Sequence, residues 1–213
     1  EVAFTAVISV SAVVIAFGAW RTPSTPAPPP EGLEILEEPR WREAVGGGQR
    51  VGAASAPVTI VVFLDYQCPA CEAFEASLSA ITDKYDDRVA IEYRHYPLER
   101  PHPQALPAAL ASGCAALQGG FEPMHRELFS NRRSLGEISW RELASRASIQ
   151  DLDRFDACMR DSLSLPSVTR DRALALRLEA PGTPTVLINQ FRFSGSARVT
   201  TVDSLVRLAL ESK

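Results

Sequence analysis

The stretch FLDYQCPACEAFE, Phe63 to Glu75, joins two different hydrophobic patterns and carries two cysteines at the junction. Val58 to Tyr66 is rich in β-branched and aromatic residues, and its apolar run predicts a central strand that is covered on both faces. From Ala70 onward, apolar residues recur at the spacing of an amphipathic helix. These apolar positions are Phe74, Leu78, Ile81 and Tyr85. The sequence therefore predicts a strand that leads into a helix through the cysteine pair.

The segments that follow predict an α/β fold with an inserted block of helices. Val89 to Tyr96 alternates in the manner of a second strand, so the order strand, helix, strand predicts a right-handed βαβ unit. From about residue 101 to 180, helical patterns dominate. Strand patterns return at Thr185 to Asn189 and Arg192 to Ser194, before a closing helix from Val202 to Leu210. The helical block is therefore expected to interrupt a single α/β domain.

The N-terminal part of the chain has a different composition. Val2 to Trp20 is uncharged and, at about 1.5 Å per residue, long enough to cross the hydrocarbon layer of a membrane. Residues 1–21 are therefore interpreted as a transmembrane anchor, with a cleaved signal segment as the alternative. Residues 22–40 are rich in proline and predict an extended linker, so the folded domain is expected to occupy residues 41–213. Gly46 to Gly48 predict a second flexible point.

Charge and cysteine spacing narrow the possible functions. The 213-residue chain has a net charge of -4 and no basic block, which disfavours nucleic acid as a partner. The spacing of Cys68 and Cys71 occurs in metal sites, in structural disulfides and in redox pairs. Zinc normally needs four ligands, and His95, His102 and His125 are scattered, so we interpret them as surface or core-edge residues. A redox pair is favoured, with metal binding and an inert disulfide as alternatives.

Three stretches carry a resemblance to a known family. They are, in order, FLDYQCPAC, then YRHYPLERPHPQALPAALASGCAALQGGFEPMHRELF, then LEAPGTPTVLINQFRFSG. With them the chain, from roughly residue 51 to 213, resembles the DsbA-like family of thioredoxin-fold thiol:disulfide oxidoreductases. The resemblance implies a sheet of four or five strands with helices on both faces, a helical insertion, and a cis Thr183–Pro184 bond that faces the cysteines. One position departs from the family, because the residue six before the first cysteine is often a buried acid and here is Val62.

The residues of the two motifs have distinct predicted roles. Cys68, at the start of the predicted helix, would meet unpaired backbone N–H groups and the positive end of the helix dipole, which favours a nucleophilic thiolate. Cys71, one turn further on, is the predicted resolving thiol. Thr183 and Pro184 would present backbone groups to an extended substrate segment. Asp65, three residues before Cys68, is either a substitute proton acceptor or a carboxylate that caps the loop.

The two remaining cysteines, Cys114 and Cys158, lie in the helical block. Because the other two form the reactive pair and the compartment is predicted to be oxidising, we predict a structural disulfide between them. Closing a loop of about 45 residues would stabilise the fold by roughly 4 kcal/mol in the chain-entropy description. Two free buried thiols are the alternative.

The leading functional hypothesis is an extracytoplasmic dithiol oxidase that introduces disulfides into exported proteins through a mixed disulfide at Cys68. It predicts a single-pass protein of the cell membrane, a monomer without a cofactor, whose catalytic domain faces the periplasm or another extracytoplasmic space. The expected partners are unfolded or partly folded exported proteins with cysteines and a membrane redox partner. A tethered reductase or isomerase is the alternative within this class, and a Cu(I)-binding module is the alternative from another class.

Overall fold

The computed structural model describes residues 32–161 and 165–212, and within them a mixed sheet forms the centre of the fold. The sheet has six strands in the order β1-β6-β5-β3-β4-β2. Strands β3 and β4 are parallel, and the other neighbouring pairs are antiparallel. The strands are β1 Glu34–Ile35, β2 Gln49–Val51, β3 Val58–Leu64, β4 Val89–His95, β5 Thr185–Ile188 and β6 Phe191–Ser194. Two short edge strands, β1 and β2, therefore extend the sheet beyond the predicted four or five strands.

Helix α2 is the next element after β3, and a block of helices, five of them among the described residues, separates β4 from β5, as the sequence predicts. The helices are α1 Glu38–Arg42, α2 Pro69–Tyr85, α3 Ala105–Ala116, α4 Phe121–Ser130, α5 Trp140–Arg146, α6 Leu152–Asp161, α7 Pro166–Arg177 and α8 Val199–Glu211. The disulfide between Cys114 of α3 and Cys158 of α6 joins two helices of the inserted block, with Cα atoms 5.7 Å apart.

Strand β3 is buried on both faces because apolar residues occupy both sides of its pleat. Val62 and its even-numbered neighbours belong to the main core with α2, α8 and the inserted helices. Val61 and Phe63 pack on the opposite face, in a smaller cluster that includes Leu174 of α7. Each fully buried aliphatic or aromatic side chain contributes about 1.5–3 kcal/mol of transfer free energy. The strand that ends at the cysteine loop is thus buried along its whole length.

The sheet begins inside the segment that the sequence predicts to be linker, residues 22–40. Residues 34 and 35 already form β1, which pairs with β6, and the Leu36 amide donates to the Gln190 carbonyl at 2.8 Å. Leu36 is also buried, in the same cluster as Leu174. Chain composition did not reveal this short edge strand because only two residues form it.

The predicted anchor, Val2 to Trp20, and the proline-rich part of the linker lie outside the described residues. Among the helices of residues 32–161 and 165–212, none combines the length and apolar character needed to cross a bilayer.

The glycine triplet is held in place, which corrects the prediction of a flexible point. The backbone N–H groups of Gly46, Gly47 and Gly48 donate to the carboxylate of Glu92 at 2.8, 2.8 and 2.7 Å. Glu92 is fully buried on β4 and also pairs with Arg94 at 3.1 Å. A Cβ on Gly48 would lie 2.5 Å from a backbone oxygen of β4. Glycine is needed there because the chain passes so close to the strand.

Candidate active site

Cys68 stands at the junction of β3 and α2. It is the N-cap of α2 with extended backbone angles, and Pro69 occupies the first turn, where its missing N–H would have had no helical partner. Strand β3 ends at Leu64, and residues 65–67 turn the chain between strand and helix. The packed strand and the helix N-terminus together fix where the sulfur lies.

Asp65 caps this turn, which is one of the two roles that the sequence left open for it. Its buried carboxylate accepts from the backbone N–H groups of Gln67 at 2.7 Å and Leu98 at 2.9 Å, and it contacts Nδ1 of His102 at 2.8 Å. Because both oxygens are engaged, Asp65 ties the cysteine loop to the segment after β4. His102 is accordingly a partner of this carboxylate.

The two sequence motifs meet in space. The Thr183–Pro184 peptide bond is cis, and Sγ of Cys68 lies 3.2 Å from the Thr183 carbonyl oxygen. Strand β5 begins at Thr185, directly after this bond, and pairs with β3. The structure therefore brings together all four residues that the sequence predicts as catalytic, although the two motifs are separated by more than a hundred positions.

The surroundings of Cys68 favour its ionised form. Its pKa is lowered from 9.0 to about 5, chiefly because the Cys71 thiol donates to the sulfur. Partial burial opposes this shift, while the Thr183 side chain and the backbone N–H groups of Cys71 and Ala70 add to it. The helix N-terminus thus acts on the sulfur through its free N–H groups. Near neutral pH Cys68 is a thiolate.

Cys71 has the opposite character. Burial raises its pKa, and the neighbouring Cys68 raises it further by hydrogen bonding and charge repulsion. Its residue surface is 2% exposed, against 6% for Cys68. One thiol of the pair is therefore ionised and slightly more exposed, and the other is more deeply buried and remains protonated.

A buried polar network lies beside Cys71, and the sequence did not predict it. The Tyr66 hydroxyl lies 2.9 Å from Oγ of Ser112 and 3.1 Å from Nδ1 of His125. Nε2 of His125 is 3.2 Å from the Glu75 carboxylate, outside ideal hydrogen-bond geometry, and the Tyr93 hydroxyl donates to the same carboxylate at 3.1 Å. We call Tyr66, Ser112, His125, Glu75 and Tyr93 the tyrosine–histidine network.

His95 and His125 are buried, so the interpretation of these histidines as surface or core-edge residues is wrong. The position of His125 offered a signal, because it falls among the apolar residues of α4 at helical spacing: Phe121, Met124 and Leu128. His95 lies at the end of β4 near the Tyr66 ring, and burial followed by the proximity of His125 lowers its pKa to about 4. His95 is therefore neutral at neutral pH.

Val62 occupies the position where the family often has a buried acid. It is 1% exposed on β3 and lies between Tyr93 of β4 and Val186 of β5. The strand beneath the cysteines thus contributes an apolar side chain there. In residues 32–161 and 165–212, no group of three or more histidine, cysteine or acidic side chains is arranged to hold a metal ion.

Comparisons with known proteins agree with this geometry. The thioredoxin family model, Thioredoxin_4, matches residues 44–207. Oxidised BdbD from Bacillus subtilis superimposes with a TM-score of 0.69 at 21% identity, covering 78% of this chain and 94% of that one. A variant of alpha-DsbA1 from Wolbachia pipientis has a TM-score of 0.65 at 19% identity, covering 81% and 98%.

A relative of greater sequence identity is a much longer protein. Na(+)/H(+) antiporter NhaA 1 of Mycolicibacterium vanbaalenii is 34% identical over 194 residues, which cover 88% of this chain and 30% of the antiporter. The chain therefore spans less than a third of that relative, and the antiporter name describes the whole of the longer protein.

The family match extends over most of the chain and includes both motifs of the site. A low-pKa cysteine at a helix N-terminus, a protonated partner one turn away and a facing cis-proline are the chemical requirements of thiol–disulfide exchange. The chain therefore belongs to the thioredoxin family.

Proposed function

We propose that the chain is a dithiol oxidase that introduces disulfides into exported proteins. The observation that carries this proposal is the low pKa of Cys68. A stable thiolate favours the reduced form of the pair, so the oxidised Cys68–Cys71 disulfide is a good acceptor of electrons. The same stabilised thiolate is also a good leaving group when the substrate disulfide forms.

The reaction has two exchange steps. A substrate thiolate attacks Sγ of Cys68, the Cys68–Cys71 bond breaks, and Cys71 leaves with the electron pair and gains a proton. A second substrate thiolate then attacks the substrate sulfur of the mixed disulfide and releases the Cys68 thiolate. The substrate is oxidised by two electrons, and the cysteine pair is reduced by two. A membrane redox partner that accepts two electrons from the reduced cysteine pair would restore the disulfide.

Thr183 and Pro184 are the proposed substrate-positioning residues. The cis bond lies at the start of β5 and next to Cys68, where an extended peptide could pair with the Thr183 backbone as its cysteine approaches. The expected substrates are therefore unfolded or partly folded chains with accessible cysteines, because a folded chain cannot present an extended segment. The structural role proposed for Cys114 and Cys158 leaves them outside this chemistry.

Single-turnover assays test the direction of electron flow. The oxidised chain is mixed with a peptide that contains two cysteines, and peptide disulfide formation is followed together with reduction of the cysteine pair. The Cys71→Ser variant is mixed instead with the peptide in its disulfide form, where the Cys68 thiolate attacks that disulfide, releases one peptide thiolate and leaves a mixed disulfide that no second protein thiol resolves. Fast and complete peptide oxidation supports the oxidase. Efficient reduction of an insulin disulfide by the reduced chain, with little peptide oxidation, would instead identify a reductase or isomerase.

We further propose that the catalytic domain works outside the cytoplasm, tethered through residues 1–21 to the cell membrane. The disulfide of the inserted helical block supports an oxidising compartment. The uncharged run of Val2 to Trp20 supports a membrane segment. Expression with membrane fractionation, followed by protease treatment of intact spheroplasts, tests both parts. Recovery of the chain in the soluble cytoplasmic fraction would contradict them.

A further inference from the structure

The reaction requires a protonation change at a deeply buried sulfur. Cys71 must lose a proton to become a nucleophile and must gain one when it leaves, yet burial raises its pKa. Val62 supplies no carboxylate from the strand beneath it. Asp65 uses its oxygens to hold the loop. The proton must therefore be exchanged through another group.

The tyrosine–histidine network lies where such a group is needed. Cys71 and Glu75 are four residues apart on α2 and therefore share one helix face. Tyr66 and Cys71 belong to the same buried cluster. Burial raises the pKa of Tyr66 against its hydrogen bond with Ser112, and Glu75 and Cys71 add to the rise. The Tyr66 hydroxyl contacts Nδ1 of His125, whose other nitrogen faces Glu75. The network thus connects the Cys71 side of α2 to an acid–base pair.

The network also reaches the surface. Glu75, Tyr93 and His125 line a cavity of about 590 Å³ between α2, β4 and α4. The Glu75 side chain is 26% exposed, whereas that of His125 is 7% exposed. A proton that arrives at His125 can therefore pass to Glu75 and on to solvent, although Cys71 itself is covered.

We propose that His125, held between Tyr66 and Glu75, takes up the proton of Cys71 through the Tyr66 hydroxyl and returns it when Cys71 leaves. This inference rests on the proposed exchange at Cys68 and holds for either direction of electron flow. His125 and Glu75 are positioning residues in this scheme, because they act on the sulfur through Tyr66.

The resolving step balances as follows. The Cys71 proton moves to the Tyr66 oxygen while the Tyr66 proton moves to Nδ1 of His125, which becomes an imidazolium facing the Glu75 carboxylate. The Cys71 thiolate attacks Sγ of Cys68, and the bond between Cys68 and the bound thiol breaks. The bound thiol leaves as a thiolate with the electron pair. Cys71 is oxidised to the disulfide level, the leaving sulfur is reduced to the thiolate, and Cys68 stays at the disulfide level throughout.

Few other charges act on His125. The titratable or charged side chains that face it or line its cavity come from three elements: Glu75, Asp83, Tyr93, His95, Glu122 and Arg126, with Asp86 and Asp87 in the short turn after α2. His95 is neutral because burial lowers its pKa to about 4. Arg126 lies 4.0 Å from Glu122 on the same helix. In the described part of the chain, Glu75 is the carboxylate within ion-pair distance of the imidazole.

The test follows the reactions of the two cysteines as two successive kinetic phases. The reduced full chain reacts with the aromatic disulfide dithiobis(nitrobenzoate), and each exchange step releases one coloured thionitrobenzoate. The first phase reports attack by Cys68, and the second reports displacement by Cys71. Cys71→Ser must remove the second phase and leave the first. Absence of the first phase in the wild-type chain would refute the proposed exchange at Cys68 rather than the role of His125.

His125→Gln, Tyr66→Phe and Glu75→Gln are the informative variants. We expect each to slow the second phase by about a hundredfold near neutral pH, the low end of general acid–base effects, and to move its pH profile to higher pH. The first phase should keep its rate and its pH profile. Glu75 is partly exposed, so Glu75→Gln retains the fold if the buried variants do not.

Asp83→Asn is the matched control, since it removes a carboxylate from the same helix and the same cavity. It should change neither phase. An unchanged second phase and pH profile in Glu75→Gln and Tyr66→Phe would overturn the proposal. Equal slowing of both phases would also overturn it, because the network would then shape the whole site instead of exchanging the Cys71 proton.

Discussion

The two cysteine pairs of this chain consist of the same side chains but lie in different surroundings. Cys114 and Cys158 are 44 positions apart and join two helices of the inserted block. Cys68 and Cys71 share one helical turn, and one of them has a pKa near 5 while the pKa of the other is raised. The first pair restrains the chain, and the second is poised for exchange. Reactivity here follows chiefly from the hydrogen bond that the Cys71 thiol donates to Cys68, and the helix N-terminus and the facing Thr183 add to it.

The largest expected effect is on the rate of exchange. Cys68→Ser should reduce the oxidation of a dithiol peptide by at least about a thousandfold, because a hydroxyl cannot replace the thiolate nucleophile. Thermal stability should remain close to that of the reduced wild type. Cys158→Ser is the matched variant in the other pair and should retain exchange at Cys68. Residual turnover in Cys68→Ser would show that another group reacts first.

Removing the structural pair should produce the complementary effect. The double variant Cys114→Ser, Cys158→Ser should lose about 2–4 kcal/mol of unfolding free energy, because the unfolded chain regains the freedom of a long loop. Urea titration with the Cys68–Cys71 pair held reduced in both proteins measures this loss. The exchange rate in buffer should be unchanged. A double variant as stable as the wild type would remove the proposed structural role.

The pH dependence of the reduction potential should show that the two thiols of the Cys68–Cys71 pair ionise at different pH values. Below about pH 5, reduction takes up two protons and the potential should fall by about 59 mV per pH unit; above it, one proton is taken up and the slope should be about 30 mV. Because the pKa of Cys68 is lower in the folded chain than in the unfolded chain, it stabilises the reduced fold. This stabilisation is complete above the unfolded-state pKa near 9, and it is lost as the pH falls through 5. A constant slope from pH 4 to pH 8 would mean that Cys68 is an ordinary thiol.

The smallest expected effect comes from removing a single hydroxyl group beside Cys68. Thr183→Val keeps the shape of the side chain and should raise the Cys68 pKa by up to about one unit, since the side-chain hydroxyl of Thr183 contributes to the lowered pKa of Cys68. Thiolate absorbance during a pH titration measures the shift. Thr185→Val is the control, because its hydroxyl donates to the Gly182 carbonyl at 2.7 Å. A shift of equal size in both variants would assign the effect to strand β5 as a whole.

Sequence patterns predicted the strands and helices whose apolar residues follow a regular spacing. The apolar run of β3, the helical spacing of α2 and the long helical block follow from periodicity alone. Family resemblance placed Thr183 and Pro184 opposite the cysteines, although those residues meet only through the folded sheet. These features were predictable because local pattern and tertiary packing favour the same structure.

Long-range polar contacts could not be predicted. Gly46 to Gly48 suggested flexibility, but their N–H groups meet Glu92, whose partners depend on the folding of β4 against the N-terminal segment. His125 was placed near the surface because a lone histidine is usually exposed or intermediate in burial. Its partners, Tyr66 and Glu75, come from separate elements. Only the assembled core shows that these polar groups meet beside Cys71.

The most direct test of the oxidase assignment is the equilibrium reduction potential of the Cys68–Cys71 couple, measured for the chain against glutathione buffers with the Cys114–Cys158 disulfide intact. The low pKa of Cys68 predicts a value above about -180 mV, at which the reduced form is stabilised and the protein donates disulfides. A value below about -230 mV would contradict the proposal, because such a pair would give electrons to its substrates and break their disulfides.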